Sequence, residues 1–341
     1  MRVFKSVAVA AILVFGIAAC SESDGGGSSD GVEGRTIGVV HPVSSSEILD
    51  RQASAIEMGA DALGWDVSVK RGESSPQRWG ADIQTFASQK VDAIIIIGFD
   101  PTTVAPQIAV AQKAGIPVIQ TVVAIDDDSA SLVDGHYDND YENMGQVLGE
   151  YTVKKVPGAV AVAQDLSVAP AVQTLNNAFG DAVKAGGGAG IVDRIDLSLG
   201  EPVVQAYGKN LMALLNSNSN ANVYIAGADN ALPSLASTFS QVNRNGLLYV
   251  SSYQNPSTLS LIQSGVNGAV VAVNQDRTAF EALDVLAAKF NDGTEIPKTY
   301  PGDEQKTAIV DSSNIAQGDP FPTDAEAATW IANWKSEYNL A

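Results

Sequence analysis

The chain has 341 residues, 45% of them apolar but only 6% aromatic, and a formal charge of −19. Acidity on that scale, without any cluster of Lys or Arg, excludes a nucleic-acid backbone as partner, though it says little about the charge of a small ligand. A single cysteine rules out intramolecular disulfides, and two histidines, His41 and His136, leave little from which to build a metal centre.

Arg2 and Lys5 precede an uncharged apolar run, residues 7–19, that ends in small residues. This is the plan of a secretion signal, and it is too short to span the hydrocarbon of a bilayer. Ile17-Ala18-Ala19-Cys20 resembles a bacterial lipobox, so residues 1–19 are expected to be removed and Cys20 to carry the lipid. Residues 20–34, rich in Gly and Ser, are expected to form a flexible linker.

Residues 36–40 (TIGVV) read as a buried strand. Ser44, Ser45 and Ser46 can cap a helix whose Leu49, Ala53, Ile56, Ala60 and Leu63 recur at helical spacing before Gly64. A strand over 66–70 and a helix over 77–89 follow, and then 91–97 (VDAIIII), a run apolar enough for a strand covered on both faces. A helix over 101–114 and a strand over 115–119 come next. The alternation continues with helices near 141–155, 171–185, 203–216, 231–243, 257–263, 278–290 and 324–338. Strands are expected near 159–163, 191–197, 223–226, 247–251, 268–273 and 306–311. Such alternation indicates an α/β fold of two doubly wound parallel-sheet lobes, with a ligand crevice at the carboxyl ends of the strands.

Catalytic motifs are lacking. There is no Gly-x-Ser-x-Gly elbow, and the glycine run 186–190 lies between a helix and a strand, the reverse of a phosphate loop. Asp126, Asp127 and Asp128 suit a solvated loop, and Asp140 suits a helix cap better than a calcium loop. Trp330 and Trp334, four apart, suit packing of the last helix onto the body. The chain is read as a non-enzyme that needs no cofactor or metal.

Several segments carry a family resemblance: Thr36-Ile37-Gly38-Val39-Val40, residues 60–65 (ADALGW), 91–96 (VDAIII), 115–119 (GIPVI), 228–232 (ADNAL) and 265–270 (GVNGAV). In their order and spacing the chain resembles the type 1 periplasmic solute-binding proteins of ABC transporters, in their ribose-binding, sugar-binding form. The resemblance implies two lobes joined by three hinge crossings, near 138–141, 274–276 and 311–314. The N-terminal lobe is then 35–139 plus 275–311, and the C-terminal lobe 140–274 plus 312–341.

The resemblance also implies a monomer that captures a small solute between its lobes and delivers it to an ABC permease with a cytoplasmic ATPase. Such a protein stands outside the cytoplasm, held to the bacterial membrane by its lipid. A ligand sensor that presents its closed form to a membrane receptor is the alternative. Carried over by position, Ser46 with Ser44 and Ser45 takes the place of a polar ligand contact. Ile48 and Leu49 replace two sugar-stacking aromatic residues, and Val122 and Val123 replace an Asp–Arg pair that grips hydroxyls. Gln173 replaces an arginine, Tyr253 an aspartate and Asn274 a hinge glutamine, while Asp100 and Asp229 keep polar character at strand ends. With the charged grip gone, the expected ligand is uncharged, either less hydroxylated than a pentose or held largely by shape.

Overall fold

The structure is a computed structural model that describes residues 32–340, apart from 44–45, 73–74, 167–169, 198–202, 229–230 and 303–304. The signal peptide, Cys20, Ser44, Ser45 and Asp229 lie outside the described residues.

The first half alternates β1 (Thr36–His41), α1 (Glu47–Ala62), β2 (Asp66–Arg71), α2 (Pro76–Gln89), β3 (Ala93–Ile97), α3 (Ala105–Lys113), β4 (Val118–Val122), a short α4 (Asp127–Ser131) and β5 (Gly135–Asp138). The second half comprises α5 (Tyr141–Lys155), β6 (Val160–Leu166), α6 (Pro170–Ala185), β7 (Gly190–Leu197), α7 (Val203–Ser217), β8 (Val223–Ala226), α8 (Ala231–Ser234), β9 (Leu248–Ser252), α9 (Pro256–Gln263) and β10 (Gly268–Val273). The chain ends with α10 (Arg277–Asp292), β11 (Thr307–Asp311) and α11 (Thr323–Tyr338).

Two sheets result. The first has the order β2-β1-β3-β4-β5 and is parallel throughout. The second has the order β11-β10-β9-β8-β6-β7 and is parallel except for β11, which runs antiparallel to β10. Both sheets reverse strand order about their first strand, at β1/β3 and at β6/β8, where open α/β sheets form a crevice beyond their carboxyl ends. The central strands are apolar on both faces because helices cover both: β3, β9 and β10 are buried at every residue. In the first lobe Ile56, Phe280 and Trp334 pack one face of the sheet, and Ile83, Phe86 and Ile108 the other. In the second, Leu175 and Phe179 lie on one face and Leu211, Leu232 and Ile262 on the other.

Five expectations need correction. Residues 32–34 are not linker: Val32 is buried, its carbonyl accepts from Trp65 Nε1, and Gly34 N–H bonds Gly64 O. An apolar residue with a tryptophan partner has reason to pack, which the polar stretch before it lacks. The strand near 306–311 belongs to the second sheet, not to the N-terminal lobe, because it pairs with β10 from Ala269↔Asp311 to Val273↔Thr307. The last helix sits on the first lobe, not the second: Trp334 is fully buried against Phe280 and donates to Asp284 Oδ1 at 2.7 Å. Residues 292–300 stay with the first lobe, where Lys298 O accepts from His136 N and Pro297 O from Tyr137 Oη. The chain therefore passes between the lobes four times rather than three: after β5, after β10, between Lys298 and Lys306, and after β11. Finally, the helix expected over 231–243 breaks into α8 and a single 3-10 turn at Phe239–Gln241. Ser234, Ser237, Thr238 and Ser240 fill that stretch, and their hydroxyls compete for backbone groups.

Candidate ligand-binding seam

The carboxyl ends of both sheets meet at one seam, since contacts join residues at those ends across the lobes. Asn139, just after β5, donates from Nδ2 to Tyr253 Oη at 3.2 Å; Tyr253 follows β9. Tyr253 in turn donates to Tyr141 Oη at 2.7 Å. At the first turn of α1, Glu47 Oε2 accepts from Ser257 N–H at the start of α9 at 3.2 Å. Two surface depressions lie elsewhere, one along α5 and α6 and one at the amino end of the first sheet. Strand topology places ligand chemistry at neither, so the seam takes precedence.

Backbone strain concentrates here. Val122, the last residue of β4, has φ +83°, and Tyr253 has φ +65°. A β-branched residue in the left-handed region is a true outlier, and such strain persists where the surroundings over-determine it. At Val122 the restraint is visible: its carbonyl accepts from Asn139 N–H, and the next carbonyl, of Val123, accepts from Gln120 Nε2.

The expected site residues behave differently from one another. Ser46 caps α1, accepting from Leu49 N–H at 3.4 Å. Ile48 and Leu49 are buried in the first lobe's core, and Leu49 fills the space where Gly98 lacks a side chain. Asp100 caps the turn after β3, accepting from Thr102 N–H, Thr102 Oγ1 and Ser129 Oγ at 2.7–2.9 Å. Its carboxylate is thus held by the protein itself. Gln173 is exposed in the first turn of α6. Asn274, on the second crossing, accepts through Oδ1 from Lys306 N–H at 2.8 Å, while its Nδ2 is buried without a hydrogen-bond partner.

Sequence reading missed three groups. Asn139 is 2% exposed and its Oδ1 has no partner. Gln164, at the β6/β8 reversal, has both amide atoms buried and unpaired. Arg51, one turn into α1, binds Asp276 at 2.6 Å, Asp319 at 2.6 Å and Phe321 O, which ties two crossings to the first lobe. Only Gln164 directly follows an expected strand, 159–163, and could have been signalled by that place; the strand before Asn139 was not expected, and Arg51 carries no local sequence mark.

Buried charges line the hinges in compensated sets. Burial pushes the Asp276 carboxyl up, while the hydrogen bonds and charge of Arg51 pull it back. Burial likewise raises Asp138, opposed by His136 Nδ1 at 2.7 Å; the Asp138 carbonyl accepts from Arg277 Nη2. Arg277 also pairs with buried Glu281. His41 is fully buried at the end of β1, and desolvation lowers its pKa, so it is neutral at pH 7. Among the described residues no three His, Cys, Asp or Glu side chains are grouped to hold a metal ion. No described helix is long and apolar enough to cross a membrane.

Two α/β lobes with facing strand ends, joined through hinge strands that carry buried, partly unsatisfied amides, define a two-lobed solute-binding protein. Residues 37–295 match the model of the periplasmic binding protein domain, and the chain belongs to that family. Solved structures with the same fold include a galactofuranose binding protein, 18% identical over 87% of this chain and 100% of that one, with a TM-score of 0.72. A Mycobacterium smegmatis protein in complex with β-D-fucofuranose is 17% identical over 88% and 98%, TM-score 0.72. An ABC transporter periplasmic solute binding protein from Actinobacillus succinogenes, with bound D-allose, is 19% identical over 83% and 100%, TM-score 0.71. No match was found among curated protein sequences.

Proposed function

We propose that this chain is the solute-binding subunit of an ABC importer. It is lipid-anchored through Cys20 outside the cytoplasm, and it takes an uncharged sugar or sugar-like solute into the seam without altering it. The observation that carries this reading is the pair of half-satisfied hinge amides. Asn139 Oδ1 can accept and Asn274 Nδ2 can donate, both from nearly complete burial. A hydroxyl does both at once, and a buried polar atom left unmade costs about 1–3 kcal/mol, so a polyhydroxylated guest gains by meeting them. The nearby charges are already paired, Arg51 with Asp276 and Arg277 with Glu281, which disfavours an ionised guest.

The sugars named with the similar structures support the same class, as do the absence of a catalytic motif and the Cys20 context. Ser46, Val122, Val123, Gln173 and Tyr253 are proposed to line the site, together with Ser44, Ser45 and Asp229. Ile48, Leu49 and Asp100 support it from behind.

A thermal-shift screen over furanoses, pyranoses, polyols, nucleosides and amino acids tests the reading. A ligand at a hundred times its Kd adds about 2.7 kcal/mol of stability. Stabilisation by a neutral polyol or sugar, and by no charged amino acid, is expected; the reverse pattern contradicts the proposal. For the anchor, Cys20→Ser should release the protein from the membrane fraction.

A further inference from the structure

We propose that Glu47 is a closure latch, acting as a cap in trans for helix α9 of the opposite lobe. The proposal rests on the reading of the seam as the place where the lobes close. Glu47 is an exposed residue of the first turn of α1, yet its carboxylate accepts from the backbone N–H of Ser257, 210 residues away, at 3.2 Å. The first N–H groups of any helix have no intrahelical partner, and that end attracts negative charge. Helix α9 does not serve its own amides: Asn255, at its N-cap, makes no side-chain capping bond. The acceptor comes from the other lobe.

Four residues further along α1, Arg51 is fastened to Asp276, Asp319 and Phe321 O, all on hinge strands. Helix α1 therefore touches the pivot at Arg51 and the moving lobe at Glu47. Separating the lobes leaves the Arg51 contacts with the hinge and breaks the contact at Ser257. A bond made in one state only shifts the population towards that state, whatever the ligand. A carboxylate at a helix N-terminus is worth about a two- to fivefold change in an equilibrium, and less at high salt.

The test is small-angle scattering of the ligand-free protein, with circular dichroism to show that each variant folds. The radius of gyration is expected to rise in the order wild type, Glu47→Gln, Glu47→Ala, Glu47→Lys. Gln keeps an acceptor without charge, and Lys opposes the helix end. Salt should expand the wild type and leave Glu47→Ala unchanged. Equal dimensions across the series overturn the latch. Because this comparison uses no ligand, it decides the latch even if no sugar binds, in which case only the sugar reading fails. If a sugar does bind, Glu47→Ala should weaken it about two- to fivefold through faster release; unchanged release overturns the latch as well.

Discussion

The Tyr253 hydroxyl lies 2.7 Å from the Tyr141 hydroxyl and also accepts from Asn139 Nδ2 at 3.2 Å. One side chain at the end of a second-lobe strand is thereby tied to the first crossing and to the helix that follows it. Tyr253, expected to offer its face and hydroxyl to a ligand, spends that hydroxyl on the hinge. Tyr253→Phe removes two bonds and leaves buried polar atoms short of partners, so it should cost about 1–3 kcal/mol in urea unfolding. A stability equal to wild type would mean the contact carries no weight.

Arg51→Ala should be among the most damaging single changes, about 3–5 kcal/mol at pH 7, because it strands the Asp276 carboxylate at 1% exposure. The deficit has a pH signature. Burial already raises the Asp276 pKa, and losing Arg51 raises it further. A carboxyl whose folded pKa exceeds its unfolded value favours the fold when protonated and loses that contribution as pH rises through the folded pKa. The gap between variant and wild type should therefore narrow as pH falls towards 4, measured by denaturant midpoints at several pH values.

Asp311 behaves in the opposite sense. Burial alone would raise its pKa, but hydrogen bonds from Ser313, Tyr151 and Lys155 outweigh that and hold it well below the usual carboxylate range. A depressed carboxyl contributes stability above its unfolded pKa of about 4 and loses it as pH falls below that value. Tyr151→Phe removes the 2.7 Å bond between α5 and the end of β11. It should cost about 1–3 kcal/mol near neutrality and progressively less below pH 4. A deficit that is flat with pH would detach the effect from Asp311.

Helices α5 and α6 approach through glycine. A Cβ on Gly145 would stand 2.2 Å from Leu175 O and 2.9 Å from Phe179 N, both backbone atoms that cannot step aside alone. Gly145→Ala should cost about 1–3 kcal/mol by thermal unfolding, whereas Gln146→Ala on the exposed face should stay within about 0.5 kcal/mol.

The strands of both sheet centres were legible because burial on two faces writes itself as runs such as Ala93–Ile97 and Gly268–Val273. Gly135–Asp138 escaped notice as a four-residue edge strand, half of it polar. Periodicity also carries no information on which sheet a strand joins. Residues 306–311 read correctly as a strand yet were placed in the wrong lobe, and α11 read correctly as a helix yet crosses back. The candidate site was legible only as strand ends. Apart from the bond between Asn274 and Lys306, 32 positions apart, its working contacts join residues between 112 and 270 positions apart, and neither positive-φ residue, Val122 or Tyr253, is a glycine that would have marked the turn.

Calorimetric titration of neutral sugars into the wild type, Asn139→Ala and Asn274→Ala tests the capture of a sugar at the hinge most directly. At least one sugar should bind the wild type at one site per chain, with affinity reduced about fivefold or more in each variant while the fold persists. Binding that is indifferent to both substitutions, or no binding by any sugar, would contradict it.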